Sequence, residues 1–410
     1  MRLLVAPTVA AALGLAAAAP ALADTLKVPS ETYPTIQSAV VAAADGDTVS
    51  VAPGTYGESV AVMDKTNLVI RGRARPVLNG PGPAFSVTGG SGVTITGFQI
   101  EGGGGAIFAN ATSGLVVSKV TVVAPTMTSF DFLQCAGVTL TRCQVSDGTG
   151  TVVQDATSTG LRVEKCRILN HAAGDVMLIS PTAGGTSGST GAVVSKNRIE
   201  GGTSGIRLGG QGALVEKNRM TVTVNGIVLD GVTSSTGTTV SKNRIQGSGG
   251  ADGIQVNESG VTIQGNTLTA AGLFVAGDDA FIDRNRILVA LDYGIQASGT
   301  NLVLTRNQVL VAAGDGIYAG GNAAVVGGNR VVGVDGHGIV MDDTATDSQV
   351  LGNRVTASDG YGILVLATPV AVSGNRASGN GQADYGDANA EGVNTLTNNR
   401  FRTLDFDVVF

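Results

Sequence analysis

An asparagine recurs at short, nearly regular intervals through the C-terminal two thirds of the chain. Arginine follows it at most of the ten positions, which are Asn197, Asn218, Asn243, Asn266, Asn285, Asn307, Asn329, Asn353, Asn375 and Asn399. A unit of about 22 residues is too short to bury its own apolar side chains, so successive units must stack and share one core. The repeat therefore predicts a solenoid.

A second motif, glycine followed by isoleucine (the glycine-isoleucine mark), recurs with the same period as the asparagines. It occurs at Gly205-Ile206, Gly226-Ile227, Gly253-Ile254, Gly294-Ile295, Gly316-Ile317, Gly338-Ile339 and Gly362-Ile363. Short segments of alternating apolar and polar residues lie between the marks, a pattern typical of strands. We therefore predict an all-β, right-handed parallel β-helix of about 15 coils, in a single domain over residues 24–410.

Stacking turns the repeat into columns, because residues one coil apart lie about 4.8 Å from each other across a parallel sheet. Asparagines in one buried column can bond to the asparagines above and below, so that every amide is satisfied. Counting backwards predicts that Cys166, Cys143, Val120, Phe98 and Arg73 continue this column. One longer interval predicts an insertion near residues 180–189.

The two ends of the chain carry their own signals. Met1-Arg2, an apolar run from Leu3 to Leu22 and the small residues Ala21 and Ala23 predict a cleaved signal peptide over 1–23. A membrane anchor is the alternative. Cleavage implies a secreted or periplasmic protein.

Caps are expected at both ends of the solenoid. Residues 24–60 are predicted to form an N-terminal cap with a short helix around Ser38–Ala44, because Pro34 suits a helix start and a helix can cover the open core. Residues 395–410 are predicted to form the C-terminal cap, where Leu404, Phe406, Val408 and Phe410 alternate as in a strand.

The N-terminal segment resembles a known cap. The run from Tyr33 to Tyr56, with Asn67-Leu68-Val69-Ile70-Arg71-Gly72 after it, is similar to the start of right-handed parallel β-helices of the pectin-lyase-like superfamily. The resemblance implies the same fold over nearly the whole mature chain. It implies no single activity, because that superfamily includes lyases, hydrolases, esterases, epimerases and adhesins.

Candidate catalytic residues lie just before the glycine-isoleucine marks. Gly314-Asp315-Gly316-Ile317 and Gly336-His337-Gly338-Ile339 resemble segments in which polygalacturonase-type β-helices place catalytic Asp and His. Asp315 and His337 are expected one coil apart, close enough to act as general acid or base, with Tyr293 and Tyr361 on either side. Turn chemistry alone is the alternative explanation of these residues. The polygalacturonase Asn-Thr-Asp triplet, the paired Asp-Asp of the next coil and the Arg-Ile-Lys are missing in phase, so Asp342 or Asp335 would have to serve as the second carboxylate.

A second outward column is expected to bind substrate. It includes Arg207, Gln255, Phe274, Gln296, Tyr318, Val340 and Leu364. With Asp252 and Asp342, the residues Gln255, Gln296 and Tyr318 supply the aromatic and hydrogen-bonding groups that a sugar ring needs. The sequence thus predicts a monomeric β-helix that binds a polysaccharide, and processes it by lyase, epimerase or glycosidase chemistry. A non-catalytic binding or structural rod is the alternative.

Charge and composition restrict the other partners. The net charge of −6 gives no reason to expect nucleic acid, and two histidines argue against a histidine-based metal site. No cofactor is predicted, although Ca²⁺ would suit the acidic residues Asp47, Asp278, Asp279, Asp342 and Asp343.

Two further features have two explanations each. The arginines that follow the asparagines form a stripe that either binds an anionic polymer or is a solvated edge that opposes aggregation. Cys143 and Cys166, one coil apart, form either a disulfide or a pair of buried thiols that replace asparagines. Cys135 is expected to be buried.

Overall fold

Three parallel sheets run the length of the molecule. The computed structural model describes residues 23–102, 104–179, 189–230, 237–247, 252–406 and 408. Within these, the sheets contain 17, 16 and 15 strands, each paired in parallel with strands one coil above and below. The prediction of an all-β, right-handed parallel β-helix is confirmed. The predicted signal peptide lies outside the described residues except for Ala23, and so does the predicted insertion except for Ser189.

Each coil contributes one strand to each sheet in turn. The strands of sheet 1 are Thr25–Val28, Thr48–Val51, Val69–Gly72, Thr94–Thr96, Val116–Ser118, Thr139–Thr141, Arg162–Glu164, Val193–Ser195, Leu214–Glu216, Thr239–Ser241, Thr262–Gln264, Phe281–Asp283, Val303–Thr305, Val325–Gly327, Ser348–Leu351, Val370–Ser373 and Thr395–Thr397. The strands of sheet 2 are Thr55–Tyr56, Val77–Leu78, Gln99–Glu101, Thr121–Val123, Gln144–Ser146, Arg167–His171, Arg198–Gly201, Arg219–Thr221, Arg244–Gln246, Thr267–Thr269, Arg286–Ile287, Gln308–Val309, Arg330–Val334, Arg354–Ser358 and Arg376–Ser378. The strands of sheet 3 are Val60–Met63, Phe85–Thr88, Ile107–Asn110, Phe130–Leu133, Val153–Ala156, Asp175–Ile179, Ser204–Leu208, Asn225–Leu229, Asp252–Val256, Gly272–Ala276, Ile295–Ser298, Ile317–Gly320, Ile339–Met341, Ile363–Val365, Tyr385–Asp387 and Leu404–Phe406.

The asparagines form a continuous buried column at the corner between sheets 1 and 2. Asn285 donates from Nδ2 to Oδ1 of Asn307 at 3.1 Å and to the carbonyl of Ile263 at 2.8 Å. Its backbone N–H donates to the same Asn307 oxygen at 2.9 Å. Asn307 repeats this pattern toward Asn329, and each asparagine from Asn197 to Asn375 bonds to the next. Every buried amide therefore has partners, and the predicted column is confirmed.

A single residue in the left-handed conformation makes the corner. The residue before the asparagine has φ of 59° at Lys196 and 55° at Arg306, and glycine takes the same position at Gly265 with φ of 65°. One such residue turns the chain so that the asparagine points inward and the next residue points outward. Non-glycine residues adopt this conformation at a cost, which the amide bonds of the column offset.

Cysteines and apolar residues replace asparagine in the earlier coils. Cys143 and Cys166 are both buried free thiols, and Cys143 Sγ donates to the carbonyl of Val117 at 3.8 Å, where an asparagine would donate its amide. Of the two alternatives, the structure has the buried thiols. Cys135 is also buried, as expected.

The prediction that Arg73 continues the asparagine column toward the N-terminus is wrong. Arg73 is exposed, and Pro76 fills the buried slot beneath Phe98 because its carbonyl accepts from Gln99 just as the Phe98 carbonyl accepts from Thr121. Two left-handed residues, Ala74 and Arg75, lengthen this turn.

The glycine-isoleucine mark has a packing cause. The isoleucines stack through sheet 3, as Ile295 pairs with Ile317 and Ile317 with Ile339, and all three are fully buried. The preceding glycine has no room for a side chain, because a Cβ at Gly316 would lie 2.3 Å from Val331 Cγ1. Close packing between sheets 2 and 3 therefore requires glycine at that point.

Both ends of the core are closed. A helix at Ile36–Ala42 buries Ile36, Ala39 and Val40, and Thr35 caps its N-terminus. The Glu58 carboxylate accepts from the N–H groups of Ile36 and Gln37 at 2.9 and 3.0 Å, where the helix dipole favours an anion. At the other end Phe401 stacks on the buried Tyr385 with ring centroids 5.3 Å apart.

Loss of one ladder amide should destabilise the solenoid strongly. Asn307→Ala removes the acceptor of two Asn285 donors and the donor to Ile282, so buried polar groups lose their partners. We expect the free energy of unfolding to fall by about 3 kcal/mol. Guanidinium titration followed by circular dichroism measures it.

The matched control is Asn257→Ala, because the Asn257 side chain is exposed. It should change the free energy of unfolding by no more than about 0.5 kcal/mol. Equal effects of the two substitutions would contradict a stabilising role for the amide column.

Candidate functional site

The outward face of sheet 3 brings together most of the predicted site residues. The strand register aligns Gln255 with Phe274, Phe274 with Gln296, and Gln296 with Tyr318, so these side chains form one column as predicted. The column begins near Arg207, which bridges Asp175 at 3.2 Å and Asp230 at 2.9 Å. Ion pairs therefore occupy the face on its N-terminal side.

The C-terminal part of the same column is covered. Val340 and Leu364 were expected to be exposed, but they are only 3% and 2% accessible. They pack with Tyr361 and Ala383, and Val408 of the C-terminal tail lies against this cluster. The expectation of an open face as far as Leu364 is wrong, because Tyr361, Ala383 and Val408 pack around these two side chains.

A bulge opens a small cleft beside Asp252. Asp252 pairs with Gly272, and the register then shifts so that Ile254 pairs with Leu273. Gly272 has no side chain to place above Asp252, and a cleft of about 160 Å³ forms there. Its lining residues are Asp252, Gly272, Leu273, Phe274, Leu291, Asp292, Tyr293 and Gln296. We call it the carboxyl cleft.

Two carboxyl groups interact across the carboxyl cleft. Burial, together with the negative charge of Asp292, raises the pKa of Asp252 to about 6. A carboxyl group with this pKa holds a proton in mildly acidic solution and can act as a general acid. Asp252 was predicted to bind substrate, whereas Asp292 was not singled out from the sequence.

The sequence gives no direct sign of Asp292, because it is not the residue immediately before a glycine-isoleucine pair. It lies one position earlier, in Leu291-Asp292-Tyr293-Gly294. Its proximity to Asp252 depends on the bulge at Gly272, and the only signal of that bulge was the short 19-residue interval between Asn266 and Asn285.

Aromatic rings form the wall of the carboxyl cleft and continue beyond it. Tyr293 and Tyr318 pack edge to face, with centroids 5.8 Å apart. Burial and the charges of Asp315 and Asp292 raise the pKa of Tyr293, so its hydroxyl remains a hydrogen-bond donor. Exposed or half-buried aromatic rings beside polar groups are typical of carbohydrate sites.

Tyr318 and Asp342 form the next polar pair along the face. The Tyr318 hydroxyl donates to Asp342 Oδ2 at 3.0 Å, and Thr344 donates its backbone N–H to Asp342 Oδ1 at 2.8 Å. Burial, with the negative charge of Asp342, raises the pKa of Tyr318 to about 12. These contacts hold the Asp342 carboxylate in a fixed position.

Asp315 and His337 are neighbours, but they meet through the backbone. Asp315 Oδ1 accepts from the His337 backbone N–H at 2.7 Å. The His337 ring accepts at Nδ1 from the Tyr361 backbone N–H at 2.9 Å, so a neutral ring carries its proton on Nε2. Acid or base catalysis by Asp315 and His337 stays a prediction.

Tyr361 lies beneath His337 and away from solvent. The two rings stack with centroids 5.6 Å apart, Tyr361 is 7% exposed, and its hydroxyl donates to Asp405 at 2.7 Å. Its direct partners are therefore side chains of the protein, and a catalytic role for Tyr361 also stays a prediction.

Four of the five acidic residues considered for Ca²⁺, Asp47, Asp278, Asp279 and Asp342, accept hydrogen bonds from protein groups. Asp47 accepts from the backbone of Asp24 and Ala44, Asp278 from Thr300 and Asp279 from Asn301. Over the described ranges, no group of three or more His, Cys, Asp or Glu side chains is placed to hold a metal ion. Nor does any helix of the described chain have the length and apolar character needed to cross a membrane.

Comparison with known families agrees with the architecture. The family described as "Right handed beta helix region" matches residues 83–232, 187–355 and 225–401. The chain belongs to this right-handed β-helix family. A search of curated proteins finds no match.

Solved structures of other β-helix proteins are similar to this family member at low identity. The A-module of a mannuronan C-5 epimerase from Azotobacter vinelandii is 14% identical with a TM-score of 0.47, over 83% of this chain and 93% of that one. A periplasmic alginate epimerase is 14% identical with a TM-score of 0.41, over 87% and 84%. The surface adhesin PfbA of Streptococcus pneumoniae is 12% identical with a TM-score of 0.42, over 80% and 86%.

The raised pKa of Asp252 should appear in the pH dependence of stability. A carboxyl group whose folded pKa lies above its unfolded value of about 3.9 favours folding below that value, and this contribution is lost as pH rises through about 6. Asp252→Asn should therefore be more stable than the original chain at pH 7.5, and this difference should disappear at pH 4. Guanidinium midpoints at both pH values measure the change.

Asp359→Asn is the control, because Asp359 is an exposed carboxylate outside the carboxyl cleft. It should leave the pH dependence of the midpoint unaltered. A midpoint of Asp252→Asn that follows the original chain at both pH values would show that Asp252 has no raised pKa.

Proposed function

We propose that this chain is a polysaccharide-processing β-helix that cleaves a glycosidic bond in the carboxyl cleft. The proposal is carried by one observation: Asp252 and Asp292 share an aromatic-walled cleft on the outward face of sheet 3, and the pKa of Asp252 is about 6. A pair of carboxyl groups, one of which can give a proton to the leaving oxygen, is the apparatus of glycoside hydrolysis.

Each group has a separate task in the proposed reaction. Asp252 gives its proton to the glycosidic oxygen as the bond from that oxygen to the anomeric carbon breaks. The Asp292 carboxylate takes a proton from water, whose oxygen bonds to the anomeric carbon. The products are two shorter saccharides; Asp252 has lost one proton and Asp292 has gained one, and exchange with solvent returns both groups to their starting states.

The remaining residues of the face orient the polymer. Phe274 and Tyr293 offer ring surfaces to the sugar, and Gln255 and Gln296 offer amides to its hydroxyls. Tyr318 and Asp342 extend the polar surface toward the C-terminal end of the column. The polymer would therefore lie along the column, parallel to the axis of the solenoid. These residues hold the saccharide, whereas Asp252 and Asp292 act on its bond.

The site is proposed to work outside the cytoplasm. The apolar run from Leu3 to Leu22 and the small residues before Asp24 support export with cleavage after Ala23. N-terminal sequencing of exported protein should begin at Asp24, and a start at Met1 would contradict cleavage.

Turnover should depend on both carboxyl groups of the cleft. We expect Asp252→Asn and Asp292→Asn each to lower kcat by about 100-fold or more, because each removes one proton-transfer group. Activity should fall as pH rises above about 6, where Asp252 loses its proton. Release of reducing ends is measured on a panel of neutral glucans, galactans and polyuronates.

His337→Ala serves as the matched variant on the same face. It should leave kcat within about threefold, because His337 lies outside the carboxyl cleft. Loss of activity in His337→Ala with normal activity in Asp252→Asn would overturn the proposal in favour of lyase or epimerase chemistry at Asp315 and His337. Saccharide binding with no turnover across the panel would overturn it in favour of a non-catalytic rod.

A further inference from the structure

The outward face of sheet 2 carries a straight column of arginines. The strand register places them one above another, with Thr267 and Gln308 at the two intervening positions: Arg167, Arg198, Arg219, Arg244, Arg286, Arg330, Arg354, Arg376 and Arg400. All nine side chains are exposed. We call this column the arginine ladder. Adjacent positions lie about 4.8 Å apart, as in any parallel sheet.

The positive charge of the arginine ladder is almost uncompensated. Among the residues that the structure describes, only Arg198 of the ladder has a carboxylate at salt-bridge distance, that of Glu200. Four arginines outside the ladder, Arg162, Arg207, Arg284 and Arg306, each pair with an acidic side chain. The ladder is therefore a line of positive charge on a chain whose net charge is −6.

Neutral polar side chains stand beside Arg219, Arg244, Arg354 and Arg376. The second outward position of the same strands holds Thr221, Gln246 and Thr269 in one part of the sheet, and Thr356 and Ser378 in another. Like charges in neighbouring strands repel and reduce stability. An anion bound from solution would relieve the repulsion between the arginines, and the neighbouring hydroxyl and amide groups could donate hydrogen bonds to it.

Two clefts occur along the arginine ladder. One of about 270 Å³ is lined by Arg219, Arg244 and Arg286 together with Thr221, Gln246, Thr267 and Thr269. The other, of about 300 Å³, is lined by Arg354, Arg376, Arg400 and Arg402 together with Thr356, Ser378 and Phe401. Each cleft thus combines at least three guanidinium groups with hydroxyl groups, and the second adds an aromatic ring.

We infer that the arginine ladder binds a linear acidic polysaccharide along the axis of the solenoid. Guanidinium groups pair bidentately with carboxylates, and the ladder repeats such a group at nearly every coil in a straight line. An extended polymer of acidic sugars repeats its anionic group along a straight axis in the same way. Duplex nucleic acid carries its phosphates on two helical strands, so a straight column meets them only locally.

This surface is separate from the carboxyl cleft. The ladder lies on sheet 2, and the carboxyl cleft lies on sheet 3. It would anchor the protein to an anionic polymer whether or not the cleft cleaves that polymer, so the inference does not rest on the proposed function.

Neutralising one end of the ladder should weaken polyanion binding. The test variant is Arg354→Gln, Arg376→Gln and Arg400→Gln together, and the probe is polygalacturonate in low salt, measured by isothermal titration calorimetry. We expect Kd to rise about tenfold or more, because three exposed ion pairs are lost. Binding by the original chain should weaken as NaCl is added, and the variant should show less of this salt dependence.

The control removes the same charge elsewhere. Arg71→Gln, Arg73→Gln and Arg75→Gln together alter three exposed arginines near the N-terminal cap, outside the ladder. This variant should bind polygalacturonate with Kd within about twofold of the original. Equal losses in both triple variants would overturn the inference, because they would show that total charge alone drives binding.

Further polymers test which chemical groups the arginine ladder recognises. Neutral amylose should not bind to the arginine ladder, while dextran sulfate, which carries sulfate in place of carboxylate, should bind and compete with polygalacturonate. Affinity of the ladder for a DNA duplex equal to that for polygalacturonate would contradict the assignment. Unchanged turnover of short oligosaccharides in the ladder variant would separate this surface from the carboxyl cleft.

Discussion

The hydrogen-bonded column of buried asparagines fixes the register on which the rest of the structure depends. From Asn218 onward, each Oδ1 accepts two N–H groups from the asparagine one coil below it, as Asn307 does from Asn285, and each Nδ2 also donates to a backbone carbonyl. A slip by one residue would place a neighbour such as Arg306 or Gln308 in the buried column and leave the amide and backbone groups without partners. Because the register is held at this corner, the outward residues of all three sheets also align from coil to coil. The two surfaces assigned here, the arginine ladder and the face around the carboxyl cleft, are consequences of that alignment.

Specific chemistry arises where the regular stacking is interrupted. At Gly272 the register shifts and a side chain is missing, so Asp252 faces a cleft in which Asp292 also lies. A carboxyl group on an uninterrupted face would be surrounded by water, whereas here partial burial and a neighbouring negative charge raise the pKa of Asp252 to about 6. The second interruption is the cluster of Tyr361, Ala383 and Val408, which packs around Val340 and Leu364 and limits the open part of sheet 3.

The fold could be predicted from the sequence because one residue type, asparagine, recurs once in nearly every coil of the C-terminal two thirds. Asn197 to Asn399 gave the coil length, and Gly-Ile gave the phase of sheet 3, so Gln255, Gln296 and Tyr318 were assigned to one column correctly. Local departures from the period could not be predicted in this way, because a regular repeat does not reveal where a turn is longer or a strand is bulged. Pro76, and not Arg73, occupies the first slot because its turn has extra left-handed residues, and the pairing of Asp252 with Asp292 follows from a bulge. The burial of Val340 and Leu364 depends on a contact with the tail, which periodicity along the chain does not encode.

The alignment of coils can be measured directly with spin labels on the outward face of sheet 2. One label is placed at position 219, and the second at position 286, 330 or 376, which lie three, five and seven coils further along the column. The distance between labels, measured by double electron–electron resonance, should increase by about 10 Å for each two coils, since each coil adds about 4.8 Å. Equal increments across the three pairs are the predicted result. Distances that fail to rise in equal steps would contradict the stacking of coils in register, and with it both surfaces assigned to the sheets.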